Sequence, residues 1–162
     1  MDSLDRKILK LLSVNARMDV DDIATVLDLS AGEVAGRIAA LEKNGVICGY
    51  KSVIDWEKVD TDSVSAIIEL KVTPKAGYGF EEVAARVAKY PEVESVYLMS
   101  GGYDLSVVIE GKTMKEVAYF VAYKLAPIED VVSTATHFVL KKYKDKGVIY
   151  KSPEKDERES FI

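Results

Sequence analysis

The apolar residues of this chain change their spacing near residue 60. Before that point they recur every three to four residues, as on the buried face of a helix, whereas in residues 64–72 they alternate, as in a half-buried strand. These two patterns bury their apolar faces in different ways, and 162 residues are enough for two small cores. We therefore predict two domains, residues 1–60 and 61–143, followed by a charged tail over residues 144–162.

Helical patterns fill the first domain. They cover residues 4–14, 19–28 and 30–44. Ser30 begins a Ser-x-x-Glu capping box at the start of the third pattern. Only Asp28 and Leu29 lie between the second helix and this cap, and such a short joint makes the two helices cross steeply, as in a helix-turn-helix. Asp28 stands where a left-handed backbone is often needed.

The segment after the third helix is rich in strand formers. Residues 46–54 read Val-Ile-Cys-Gly-Tyr-Lys-Ser-Val-Ile, which is typical of a single strand or a two-stranded wing. Three helices followed by such a wing predict a winged helix-turn-helix domain.

Strands and helices alternate in the second domain. The strand patterns cover residues 64–72, 94–100, 103–110 and 131–142, and the helical patterns cover residues 80–90 and 113–125. This order is the ferredoxin-like βαββαβ arrangement, an α+β fold in which both helices cover one face of the sheet. Gly101 and Gly102 alone separate the two middle strands, which predicts a tight hairpin with a primed turn.

The uncovered face of this sheet predicts a partner. Both faces of the hairpin carry many apolar side chains, but the two helices can cover only one of them. A second copy of the chain offers the same face, so we expect a homodimer closed by packing sheet on sheet.

Charge and composition exclude several classes of function. The chain has 22 Lys and Arg against 27 Asp and Glu, a net charge of -5, so any contact with nucleic acid has to be local. Cys48 and His137 are single, which excludes an intrachain disulfide and Cys/His metal clusters; we expect no metal and no cofactor. The sequence has neither a long apolar run nor a signal-peptide pattern, which favours the cytoplasm and no membrane partner.

Several motifs are shared, in order and spacing, with one known family. They are Leu4-Asp5-Arg6-Lys7-Ile8-Leu9, Asn15-Ala16-Arg17, Leu29-Ser30, Arg37-Ile38, Leu41-Glu42, Gly45-Val46-Ile47-Cys48-Gly49-Tyr50, Gly101-Gly102-Tyr103-Asp104-Leu105 and residues 131–136. Over residues 3–142 the chain thereby resembles the Lrp/AsnC family, the feast/famine transcription regulators. The resemblance implies a DNA-binding winged helix, an ACT-like ligand-binding domain, amino-acid effectors, and dimers that often assemble into octamers. We therefore expect a DNA-binding transcription regulator whose small effector, an amino acid, binds at subunit interfaces.

The candidate DNA contacts lie in the first domain. The outward positions of the third helix are Gly32, Gly36, Ala39, Ala40 and Lys43. Only Lys43 among them has a side-chain donor, so phosphate contacts and DNA shape are the expected sources of affinity. The candidate residues for double-stranded DNA are Arg17, Ser30, Arg37, Lys43 and Lys51. Arg37 lies at the border of the buried face and can instead form a helix-packing ion pair.

The candidate effector site is the Gly-Gly loop of the second domain. A free amino acid needs an acceptor for its ammonium and donors for its carboxylate, and the loop offers backbone N–H groups beside the carboxylate of Asp104. The resemblance adds neighbouring positions, so the candidate residues are Gly101, Gly102, Tyr103, Asp104, Thr134 and Thr136. The alternative is a plain hairpin turn with a structurally satisfied aspartate.

Two other functions stay open. Residues 1–60 contain 8 basic against 11 acidic side chains, a balance of -3, which suits a ligand-sensing or partner-binding module that has lost DNA recognition. Some decarboxylases of haem precursors resemble the same two-domain plan, but they rely on histidines, and this chain has only His137. We therefore expect no enzyme and name no catalytic residue.

Overall fold

The computed structural model of the protein describes residues 1–59, 63–74 and 79–150. Its contacts divide the chain between Val53 and Ile54 into an N-terminal unit and a C-terminal unit. The domain boundary predicted at residues 60 and 61 lies outside the described residues. In the described ranges, no helix is both long and apolar enough to cross a membrane.

Three helices form the N-terminal unit: α1 (Ser3–Val14), α2 (Val20–Leu27) and α3 (Ala31–Lys43). Their shared core is made of Ile8, Ile23, Ala24 and Val34. Asp28 has the expected left-handed backbone, with φ 55° and ψ 50°, and joins α2 to α3. The helix-turn-helix prediction is therefore confirmed.

The ends of α3 are fixed by local hydrogen bonds. The Ser30 hydroxyl accepts a hydrogen bond from the Glu33 N–H at 3.2 Å, but the Glu33 carboxylate turns to Arg37, so the returning half of the predicted capping box is absent. Gly45 has φ 68° and ends the helix in a Schellman motif, in which the Val46 N–H donates to the Leu41 carbonyl at 2.9 Å.

The predicted wing strand is wrong. Residues 46–55 contain neither helix nor strand, and Val46, Tyr50 and Val53 are exposed. A strand needs a neighbour to pair with its backbone, and the described part of the N-terminal unit provides no second strand. Strand-forming side chains alone do not supply that partner.

The C-terminal unit has the predicted βαββαβ order. Its elements are β1 (Val64–Val72), α4 (Glu81–Val87), β2 (Val93–Leu98), β3 (Leu105–Lys112), α5 (Met114–Phe120) and β4 (Val131–Val139). The four strands form one antiparallel sheet in the order β2-β3-β1-β4. Thr113 and Glu116 make a capping box at the start of α5, which continues into a π-helical turn, Val121–Leu125.

Both helices cover the same face of the sheet. The core on that face joins Ile68 and Leu70 of β1 to Val87 of α4 and to Val117 and Phe120 of α5. The opposite face carries the alternating residues of each strand and has no helix among the described residues. We call it the open face.

The predicted primed turn at the Gly-Gly pair is also wrong. The strands end at Leu98 and resume at Leu105, so six residues connect them. Neither Gly101 nor Gly102 has the positive φ that a primed turn needs. The Met99 N–H donates to the Asp104 carbonyl at 2.8 Å and closes a wider loop instead.

The chain beyond β4 differs from the predicted tail. The strand ends at Val139 rather than residue 142, and a small hairpin follows, β5 (Lys144–Asp145) and β6 (Val148–Ile149). Lys142 and Lys146 tie this segment back to the sheet through Glu110 at 2.7 Å and Glu94 at 3.7 Å. The rest of the predicted charged tail, residues 151–162, lies outside the described residues.

Replacing Gly45 with alanine is expected to destabilise α3 by about 1 kcal/mol, because a Cβ at positive φ crowds the following carbonyl. Gly36 is the matched control in the same helix: nothing lies within 4 Å of an added Cβ, so Gly36→Ala is expected to stabilise α3 by roughly 0.5–1 kcal/mol. Amide hydrogen exchange of α3 in the intact chain measures both changes. Effects of the same sign at the two glycines would contradict the left-handed backbone of Gly45 at the end of α3.

Candidate functional site

The outward face of α3 carries mostly small side chains, as the sequence indicates. All five predicted outward positions are exposed: Gly32, Gly36, Ala39, Ala40 and Lys43. A surface of small residues lets another molecule come close to the helix backbone, but only Lys43 can donate a hydrogen bond from its side chain. This face can therefore contact phosphates and fit the shape of a DNA groove, but few of its side chains can hydrogen-bond to base edges.

Arg37 is held by three carboxylates. Its guanidinium lies 2.8 Å from Asp2 and 2.9 Å from Asp5 across the packing of α1 on α3, and 3.1 Å from Glu33 one turn back along α3. Hydrogen bonds to these acids raise the pKa of Arg37 above its ordinary value, and the hydrogen bond to Asp2 has the largest effect. The structure therefore favours the helix-packing ion pair for Arg37 over a direct DNA contact.

Asp2 joins this cluster from the start of α1. It forms a capping box with Asp5, and each side chain accepts a hydrogen bond from the backbone N–H of the other. The Asp5 N–H, followed by the Arg37 guanidinium, lowers the pKa of Asp2 to about 2. The first residues of the chain are thus part of the helix-turn-helix.

The other candidate DNA contacts lie at the surface of the N-terminal unit. Arg17 is exposed in the turn between α1 and α2, and Lys43 and Lys51 are exposed at and beyond the end of α3. The Tyr50 hydroxyl donates a hydrogen bond of 2.8 Å to Glu42, which raises the pKa of Tyr50 and holds the segment carrying Lys51 against the end of α3. This contact was not predictable from the sequence, because Glu42 and Tyr50 are eight positions apart and share no local pattern.

Ser30 combines two abilities at the other end of α3. Its oxygen accepts the Glu33 N–H, and its hydroxyl hydrogen is a donor that can face a phosphate.

The Gly-Gly loop is tied to the end of β1 by Asp104. The Asp104 carboxylate accepts a hydrogen bond of 2.8 Å from the Val72 N–H, and the Asp104 N–H donates to the Leu70 carbonyl at 2.9 Å. Gly101 and Gly102 are exposed, whereas Tyr103 and Asp104 are half-buried. Asp104 therefore has a structural role, and a carboxylate in this position has further lone pairs for a ligand.

Thr134 lies nearer to this loop than Thr136 does. Leu70 of β1 is paired with Thr134 on one side and with Leu105, the residue after Asp104, on the other. Thr134 and Leu105 are therefore two strand spacings apart, about 10 Å in total. Thr136 is paired with Ile68, further along the sheet. Because Ile68 and Leu70 are core residues, both threonines lie on the face that the helices cover.

His137 is on the open face beside an acid. Its Nε2 lies 3.4 Å from Glu69 Oε1. Among residues 1–59, 63–74 and 79–150, no three metal-ligating side chains come together.

A cleft in the C-terminal unit was not predicted from the sequence. It has a volume of about 300 Å³ and lies between the end of β3 and the α5 helix with its π-helical turn. Its lining residues are Glu92, Ile109, Glu116, Val117, Tyr119, Phe120, Tyr123 and Lys124. We call it the π-turn cleft. The available sequence signal was the pair of tyrosines four residues apart, at positions 119 and 123.

Comparisons with known proteins assign both units to one family. The AsnC-type helix-turn-helix domain matches residues 1–42, and the Lrp/AsnC ligand binding domain matches residues 65–149. The chain is 50% identical over 155 residues to the HTH-type transcriptional regulator YugG of Bacillus subtilis, covering 95% of this chain and 93% of the relative. It is 35% identical over 145 residues to the HTH-type transcriptional regulator FL11 of Pyrococcus horikoshii, covering 90% and 93%.

A solved structure supports the same relationship. The transcriptional regulator NMB0573 of Neisseria meningitidis, in a complex with L-Met, matches with a TM-score of 0.71 and 28% identity over 90% of this chain and 93% of that chain.

Removing Arg37 should raise the pKa of Asp2. In Arg37→Met we expect this pKa to rise from about 2 toward 3.8 without reaching it, because the Asp5 N–H still stabilises the carboxylate. Since the folded pKa is below the ordinary one, the contact stabilises the unit above about pH 4 and is lost as the pH falls toward 2. Carboxyl NMR titration measures the shift. Glu33→Gln is the control, in which the pKa of Asp2 is expected to stay near 2. An unchanged pKa of Asp2 in Arg37→Met would contradict the contact between Arg37 and Asp2.

Proposed function

The chain belongs to the Lrp/AsnC family of transcriptional regulators, and we propose that it is a cytoplasmic regulator that binds double-stranded DNA as a homodimer able to assemble further, up to an octamer. An amino-acid effector bound at subunit interfaces changes its assembly or its DNA affinity. The observation that carries this proposal is an exposed α3 face of small residues in an intact helix-turn-helix. The proposal includes no catalytic role.

DNA binding rests on a few cations in an acidic chain. Lys43, Arg17 and Lys51 contact phosphates, and Ser30 donates from the N-terminus of α3, where the helix dipole favours an anion. Arg37 acts indirectly: by joining α1 to α3 it fixes the orientation of the helix that approaches DNA. With so few cations, we expect weak binding that is sensitive to salt.

The homodimer forms on the open face. Ile67, in the middle of β1, is 39% exposed on this face, and Tyr97, near the end of β2, is 54% exposed. Both are apolar or aromatic side chains that a partner can bury. A second copy presents the same strands, so two such faces can bury each other around a twofold axis. Because both helices pack on the other face, this face is the one that a partner can cover.

The effector site includes the loop that Asp104 ties to β1. Gly101, Gly102 and Tyr103 supply backbone groups, the Asp104 carboxylate accepts the ammonium, and Thr134 and Thr136 lie on the adjoining part of the sheet. The L-Met complex of the Neisseria meningitidis relative supports an amino acid as the ligand class.

One observation favours a second candidate function. Residues 1–60 have a balance of -3, and Arg37 is already bound by three acids. A family member that has lost DNA binding and kept its ligand-sensing or partner-binding unit would show this charge balance.

Fluorescence anisotropy of a labelled fragment from upstream of the chain's own gene tests DNA binding. Lys43→Gln is expected to weaken binding several-fold and to reduce the salt slope by about one, because one phosphate contact is lost. Lys89→Gln, an exposed lysine of the C-terminal unit, is the matched control and should bind as the unmodified chain does. Absence of binding by the unmodified chain at low salt would overturn the proposal in favour of the second candidate.

Two substitutions separate the structural role of Asp104 from ligand binding. Asp104→Asn keeps an oxygen to accept the Val72 N–H but removes the charge that an ammonium needs, whereas Asp104→Ala removes both. We expect both variants to lose the effect of L-methionine, L-leucine or L-phenylalanine on DNA affinity, with an unchanged circular dichroism spectrum. A full response in Asp104→Asn would show that the aspartate is structural only.

A further inference from the structure

The π-turn cleft is lined by apolar, aromatic and charged side chains. Ile109 and Val117, both core residues, form its floor. Tyr119, Phe120 and Tyr123 supply aromatic walls. A volume of about 300 Å³ is at the small end of the range for small-molecule sites, which suits a ligand of the size of one amino acid.

The π-helical turn shapes the aromatic wall. The Ala126 N–H donates to the Val121 carbonyl at 2.8 Å, five residues back, so the turn is wider than an α-helical one. Tyr119 and Tyr123 beside it are 50% and 74% exposed, with ring centroids 5.8 Å apart. Two neighbouring rings are thus presented to solvent at the mouth of the cleft, where π turns often mark functional sites.

Two of the lining residues, Glu92 and Lys124, form an ion pair. The Lys124 ammonium lies 2.5 Å from Glu92 Oε1 and also sits over the Phe120 ring, at 5.5 Å from its centroid. Glu92 is the more buried partner, at 22% exposed against 41% for Lys124. A zwitterion carries the complementary charges, a carboxylate for Lys124 and an ammonium for Glu92, so it can insert between them and keep both satisfied.

We propose that the π-turn cleft binds a free α-amino acid with an apolar or aromatic side chain. The carboxylate binds Lys124, the ammonium binds Glu92 and faces the Tyr119 and Tyr123 rings, and the side chain lies over Ile109 and Val117. The class of ligand follows from these charges and from the apolar floor.

This site is separate from the Gly-Gly loop. The loop precedes the first residue of β3, Leu105, whereas Ile109 lies four residues further along, about 13 Å of strand away. Glu92 precedes β2, at the end of the hairpin opposite the loop. The two sites can therefore be changed independently by substitution.

Isothermal titration calorimetry of the full chain tests the proposal with L-phenylalanine and L-leucine as probes. L-phenylalaninamide lacks the carboxylate and 3-phenylpropionate lacks the ammonium, so each is expected to bind at least about tenfold more weakly than L-phenylalanine. Equal binding of the zwitterion and the two analogues would overturn the proposed recognition.

Substitutions locate the binding. Tyr123→Ser and Lys124→Gln are each expected to weaken binding about tenfold or more. Tyr143→Ser is the matched control, because Tyr143 is 71% exposed, close to the 74% of Tyr123, and lies outside the cleft. Because Asp104 belongs to the proposed loop site, these variants are made in the Asp104→Asn chain, in which the loop no longer has the charge that binds the ammonium.

The outcomes separate this inference from the proposed function. Binding that remains in Asp104→Asn and in its Tyr143→Ser derivative, and that is lost when Tyr123→Ser or Lys124→Gln is added, supports the cleft site. Complete loss of binding in Asp104→Asn, whose cleft is intact, overturns the cleft site and leaves the loop as the effector site. Residual binding that Tyr123→Ser and Lys124→Gln do not change overturns the cleft site as well. Absence of any binding at millimolar probe overturns the cleft site, while the anisotropy measurement still decides DNA binding.

Discussion

The backbone pairing of β1 fixes the geometry of the C-terminal unit. This strand is bonded along both edges, to β3 and to β4, and its residues alternate between the core and the open face. A slip of one residue in either register would exchange the two faces, so burial of Ile68 and Leu70 also decides where Thr134 and Glu69 lie. The end of β1 receives Asp104, which places the Gly-Gly loop. Two candidate ligand sites therefore lie at opposite ends of one rigid sheet.

In the N-terminal unit, the comparable constraint is electrostatic. Arg37 lies close to three carboxylates, two of which come from the start of α1. These acids explain part of the negative balance of a unit that the family uses for DNA binding: they hold α1 and α3 together, and Arg37 offsets one of their three charges. The cations that remain exposed, Arg17, Lys43 and Lys51, then matter more than the net charge.

Features with a local cause were predictable from the sequence. The left-handed Asp28, the glycine end of α3 at Gly45 and the capping box at Thr113 each depend on residues a few positions apart, and so do the alternation of β1 and the order of the elements. Features that depend on distant partners were not predictable. Arg37 and Asp2 are 35 positions apart, and the expected wing has strand-forming residues but no strand to pair with. The Gly-Gly turn and the π-turn cleft likewise depend on how the strands and helix pack. The motif therefore predicted the loop as a candidate site, whereas no sequence pattern predicted the cleft.

A regulator of this kind requires that ligand and DNA binding are coupled, and coupling has a thermodynamic signature. The direct measurement takes whichever of L-methionine, L-leucine or L-phenylalanine binds most tightly and determines DNA affinity with and without it, then its own affinity with and without DNA. We predict that the two affinities change by the same factor, because linkage between two sites is reciprocal. An amino acid that binds the chain but leaves DNA affinity unchanged would contradict the account.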